Sequence, residues 1–116
     1  MTVAFGWHLI LDMVGMNENI KSVDKVREWV ETLVKKIDMI PYGEARVERF
    51  GEGHLLGVTA VQLIMTSSIT AHFVDCDGSG YIDVFSCKPF DDEVVIEWTK
   101  ECFGGGVKTS SSIVRG

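Results

Sequence analysis

Thr66-Ser67-Ser68-Ile69-Thr70-Ala71-His72-Phe73, then the run Asp75-Cys76-Asp77-Gly78-Ser79-Gly80, then Tyr81-Ile82-Asp83-Val84-Phe85-Ser86-Cys87: this stretch decides how the chain folds. Ile69, Ala71 and Phe73 alternate with Thr70 and His72, the period-two pattern of a strand with one apolar face. Tyr81 to Cys87 is a second strand, and the Asp- and Gly-rich run between them is turn chemistry. The three pieces predict a hairpin. It carries a hydroxyl (Ser67), an acid/base group (His72) and a thiol (Cys87), and one hairpin is able to bring these to a common point.

Working outward, Phe5, Trp7, Leu9, Leu11 and Met13 alternate with more polar positions and predict a strand. Ser22 is a good N-cap for a helix whose apolar stripe is Val26, Trp29, Val30, Leu33, Val34 and Ile37. Pro41-Tyr42-Gly43 marks a turn. Ala45 to Phe50 reads as a strand, Gly51 to His54 as a loop, and Val58 to Met65 as a β-rich run with apolar residues on both faces. Asp91 and Asp92 open a second helix, where acids suit the positive helix end, and Gly104-Gly105-Gly106 ends it. Val107 to Val114 adds a last strand. The order β-α-β-β-β-β-α-β, with no repeat and no linker, predicts one α+β domain over residues 1–116. Its architecture is a two-layer sandwich with both helices on one face of a mainly antiparallel sheet.

Composition narrows the function classes. A net charge of −6 over 116 residues argues against nucleic acid, which needs a basic surface. Three cysteines, Cys76, Cys87 and Cys102, make no disulfide framework and point to a reducing compartment. No signal-peptide pattern and no apolar run of membrane-spanning length is visible, so the expectation is a cytoplasmic protein with no membrane partner.

Several motifs have plainer explanations. Asp75 to Asp83 imitates a calcium loop, but position twelve is Ser86 rather than Glu, and strands rather than helices flank it. Gly104 to Ser110 lacks the spacing of a phosphate loop and follows a helix instead of preceding one. Ser67 has no glycine two residues to either side, which excludes a nucleophile elbow. His8, His54, His72, Cys76 and Cys87 show no metal-ligand spacing, so no metal is expected. Alone, His72 reads as a half-buried strand histidine and Cys87 as a small core residue; their joint spacing with Ser67 is the signal.

That spacing resembles the self-cleaving centre of the prokaryotic S-adenosylmethionine decarboxylases. Ser67-Ser68-Ile69-Thr70-Ala71-His72 resembles the family's Ser-His-Leu-Thr-Ile-His, and Tyr81 to Cys87 resembles Ala-Val-Asp-Val-Phe-Thr-Cys without a gap. Gly57-Val58-Thr59 falls where the family has Gly-Val-Ser, and Gly6-Trp7-His8-Leu9-Ile10 resembles its opening Gly-Arg-His-Leu-Leu. The resemblance implies that Ser67 attacks the carbonyl of Thr66, cleaves the chain between residues 66 and 67, and becomes a pyruvoyl group. That group serves as the cofactor, taking an amino-acid substrate as a Schiff base and acting as its electron sink. It further implies that Thr59 and His72 assist processing, that Cys87 returns a proton to the substrate, and that the processed protomers form homodimers.

The chain also departs from the family. The cleavage pair is Thr66-Ser67 instead of Glu-Ser, and Ser68 replaces His. Phe73-Val74-Asp75-Cys76 replaces Thr-Trp-Pro-Glu, whose Trp and Glu hold the adenine and ribose. Phe50, Phe73 and Asp75 are the candidate substrate-binding residues; Asp75, Asp77 or Glu52 equally suit the distal cation of a basic amino acid. S-adenosylmethionine is the expected substrate, with L-ornithine or L-arginine as the alternative and a non-processing binding homologue as a third reading.

Overall fold

The structure, a computed structural model, describes residues 3–116; Met1 and Thr2, which the expected domain includes, lie outside them. The elements follow the expected order: β1 (Gly6–Val14), α1 (Val23–Lys36), β2 (Arg46–Phe50), β3 (Gly57–Ile64), β4 (Ser67–Val74), β5 (Ser79–Ser86), α2 (Asp92–Phe103) and β6 (Gly106–Arg115). Short 3-10 turns at Glu18–Lys21 and Gly53–Leu55 were not anticipated. Ser22 caps α1, its Oγ accepting from the Lys25 amide at 3.2 Å, and Asp91 caps α2 through the Glu93 amide at 2.9 Å. Both caps satisfy donors that a helix start leaves unpaired. Gly104, at φ 65°, stops α2 in a conformation that side chains avoid.

The strands form one six-stranded sheet in the order β2-β3-β4-β5-β1-β6, antiparallel throughout. Alternation sends Leu9, Leu11 and Met13 of β1, Val58 and Ala60 of β3, Ile69, Ala71 and Phe73 of β4, and Ile82 and Val84 of β5 to one side, where all are buried. Both helices cover that side. Trp29 of α1, Phe103 of α2 and Phe73 of β4 meet at its centre with ring centroids 5.0 to 5.8 Å apart. The Trp29 indole donates to the Thr99 hydroxyl at 3.1 Å, which donates in turn to the Val95 carbonyl at 2.7 Å; a buried polar edge is thereby satisfied.

Among the described residues, no helix covers the other face of the sheet. Ile10, Val61, Leu63, Met65 and Tyr81 are exposed there, alternating with the buried set. Rows of residues cross this open face in register; one runs Glu48, Thr59, His72, Tyr81, Asp12 from β2 to β1.

Candidate active site

The β3–β4 hairpin closes through two residues, Met65 and Thr66, between the paired Ile64 and Ser67. Ser67 has φ 155°, a value that non-glycine residues rarely hold unless their surroundings impose it. Those surroundings are visible. The Met65 amide donates to the Ile40 carbonyl at 2.8 Å, and the Cys87 amide donates to the Thr66 carbonyl at 3.0 Å. Ser67 therefore sits strained at a pinned turn, with the carbonyl of the preceding residue, Thr66, accepting a hydrogen bond. Farther along the hairpin, a side chain on Gly57 would collide with the Phe73 carbonyl, its Cβ lying at 1.8 Å; glycine lets β3 and β4 approach there.

Thr59 and His72 stand directly opposite each other on β3 and β4, and Thr59 Oγ1 lies 2.6 Å from His72 Nδ1. That bond fixes the ring. The Phe50 ring is 6.4 Å from the imidazole, beside an open cleft of about 500 Å³ lined by Arg46, Glu48, Arg49, Phe50, Thr59 and Val61.

The expected common point is not formed within one chain. Ser67 and His72 are five residues apart on an unbulged strand. At about 3.3 Å per residue that is roughly 17 Å, and an odd spacing puts the two on opposite faces. Cys87 joins Ser67 at the turn, while Thr59 and His72 form a separate pair on the open face. Cys87 follows Phe85 at the spacing of that same open face, and it is exposed.

Of the expected substrate-binding residues, only Phe50 lies on the open face with His72. Phe73, expected to hold substrate, is fully buried against Trp29 and Phe103, since alternation turns it into the core and away from His72. Asp75 is ion-paired to Arg49, while its second carboxylate oxygen is buried with no hydrogen-bond partner among the described residues. Asp77 holds its own turn together, accepting from the Ser79 hydroxyl at 2.6 Å and the Ser79 amide at 3.0 Å; the first of these bonds, then the second, keep its carboxyl below the usual range. Residues 75–78 thus form the β4–β5 turn, in keeping with the composition of the run, while Ser79 and Gly80 already belong to β5.

Sequence reasoning missed Ser86. It is fully buried opposite Ser67, and its Oγ donates to Thr66 Oγ1 at 2.7 Å. Alternation from Ile82 and Val84 was the available signal. Cys102 differs from the two exposed thiols, since burial, then Glu28 and Glu101, push its pKa up to about 11.

The fold is a two-layer α+β sandwich with a hydroxyl and a thiol at one pinned turn and an oriented imidazole on the open sheet face. No helix among the described residues is long and apolar enough to cross a membrane. The family model described as S-adenosylmethionine decarboxylase matches residues 7–116, so the chain belongs to the S-adenosylmethionine decarboxylase family. Membership brings a decarboxylase function in polyamine biosynthesis. No individual curated protein matches the chain.

Proposed function

We propose that this chain cleaves itself between Thr66 and Ser67 to become a pyruvoyl-dependent decarboxylase of S-adenosylmethionine, with each active site drawing on two copies of the chain. The observation that carries the reading is the turn itself: a strained Ser67 next to a Thr66 carbonyl that accepts the Cys87 amide at 3.0 Å. When the Ser67 hydroxyl adds to that carbonyl carbon, negative charge gathers on the oxygen the Cys87 amide already faces, the requirement for oxyanion stabilisation. The C–N bond then breaks as the C–O ester forms, and the nitrogen takes the hydroxyl proton. Removal of the Ser67 Cα proton expels Thr66 as a carboxylate, and the dehydroalanine left behind hydrolyses with loss of ammonia. The residues present fit the resulting group: position 67 becomes a chain end beside an exposed thiol.

A pyruvoyl carbonyl supplies the electrophile and electron sink that decarboxylation of an amino acid needs. Cys87 is the proton donor to the α-carbon once CO2 has left, acting from next to residue 67. Thr59 holds the His72 ring so that Nε2 is the nitrogen free for proton transfer. Because His72 is roughly 17 Å along β4 from the Ser67 of its own chain, the imidazole at each site comes from a second copy packed on the open face. The exposed Val61, Leu63 and Met65 give that face its apolar character. A homodimer completes both sites by symmetry.

One observation favours a second substrate class. With Phe73 in the core and Asp75 on Arg49, Phe50 is the one expected substrate-binding residue left near His72 for an adenine, with Tyr81 across the ladder as the other exposed aromatic there. L-ornithine or L-arginine needs no such slot. Intact-mass measurement followed by CO2-release assays with S-adenosylmethionine, ornithine and arginine tests the whole reading. Two fragments divided between residues 66 and 67, and release from S-adenosylmethionine, are expected. A single full-length mass that never changes removes the enzyme reading; release from a basic amino acid alone moves the substrate to the second class.

A further inference from the structure

Thr66 is held by more than its carbonyl. Ser86 Oγ donates to Thr66 Oγ1 at 2.7 Å, and Thr66 Oγ1 donates to the Met39 sulfur at 3.4 Å. Ser86 Oγ in turn accepts the Lys88 amide at 3.0 Å, and Lys88 Nζ reaches the Asp38 carbonyl oxygen at 2.6 Å. The end of β5 thus grips Thr66 twice, by the Ser86 hydroxyl on its side chain and by the Cys87 amide on its backbone. The loop after α1 closes the grip from the other side through Met39.

We infer that Ser86 is a positioning residue for the self-cleavage proposed above, on which this inference rests: it fixes the acyl residue, Thr66, so that the carbonyl stays aligned for Ser67. Three features carry this. Threonine is β-branched and stiff about χ1, so anchoring its hydroxyl anchors the residue. Ser86 faces Ser67 across the β4–β5 ladder, which puts the anchor level with the bond to be broken. A strained φ persists only while its surroundings over-determine it, and freeing Thr66 lets the Thr66–Ser67 peptide relax away from the attacking geometry. Near-attack alignment is sensitive to such small displacements. Ser86 touches no reacting atom and acts through Thr66.

Cleavage timed by intact mass after cell-free synthesis tests the assignment. Ser86→Ala and Thr66→Val each remove one hydroxyl, and each should slow cleavage by roughly five- to tenfold, the loss of about one neutral hydrogen bond from the aligned state. Because both remove the same contact, the double variant should be no slower than the singles. Ser86→Thr keeps a hydroxyl and should restore cleavage to near the wild-type rate, which general loosening of the fold would not reproduce. Wild-type speed in Ser86→Ala, or fully multiplicative slowing in the double variant, overturns the inference while leaving self-cleavage intact. Should Ser86→Ala fail to fold, Thr66→Val, which is isosteric, decides: wild-type speed there overturns it equally. Wild-type protein that never cleaves fails the underlying proposal instead, so the two failures are distinct.

Discussion

The sharpest test of the two-copy site is complementation between Ser67→Ala and His72→Ala chains. Five residues of extended strand put Ser67 and His72 of one chain roughly 17 Å apart, whereas proton transfer needs heavy atoms within about 3 Å. No rotamer closes that gap, so a chain lacking His72 should cleave slowly alone, and one lacking Ser67 not at all. Refolding the two together in equal amounts pairs chains at random. Half of the His72→Ala chains then meet a Ser67→Ala partner that supplies an intact Thr59–His72 pair. About half of the Ser67-bearing chains should be cut, while every Ser67→Ala chain keeps its full mass. Mass spectrometry separates the two, since they differ by their substitutions. No cleavage in the mixture beyond that of His72→Ala alone would place the site within one chain. Wild-type speed for His72→Ala by itself would remove His72 from processing.

Two further outcomes follow from burial. Phe73→Ala should lower stability by about 3–5 kcal/mol in denaturant titration, since it empties the centre of an aromatic cluster; a variant that keeps its stability but loses substrate affinity would return Phe73 to a binding role. At pH 8, iodoacetamide should label Cys76 and Cys87 well before Cys102, whose thiol is raised from 9.0 to about 11. The sign is consistent: a thiol kept neutral by the fold contributes its stability below pH 9 and loses it as pH rises towards 11. Equal labelling of all three thiols at pH 8 would contradict the burial.

The elements were legible because each has a local cause. Ser22 and Asp91 cap the helices, the stripe from Val26 to Ile37 faces one way, and alternation marks β4. The order β2-β3-β4-β5-β1-β6 was not, because β1 inserts between β5 and β6 through pairings distant in sequence. The site errors have a different origin. Alternation already assigned Phe73 to the face opposite His72, and the odd spacing from Ser67 to His72 already separated those two. The hairpin itself suggested a common point for Ser67 and His72, and resemblance to a family motif drew Phe73 to the substrate, although the period of the strand sets His72 on the face opposite both. Ser86 was overlooked for the converse reason, a plain inward serine whose importance depends on the turn opposite it.

The sheet order has a consequence for a chain broken at the turn. Residues before position 67 supply β1, β2 and β3; those after it supply β4, β5 and β6. Laid across the sheet, the two pieces interleave, with β1 of the first held between β5 and β6 of the second. Three ladders, β3–β4, β5–β1 and β1–β6, would bind fragment to fragment. Neither could slip free without dismantling the core, so scission would leave the fold closed. Once denatured, however, the cut protein would have to reassemble as a bimolecular encounter. Its melting temperature would rise with protein concentration, where that of a single uncut protomer would not.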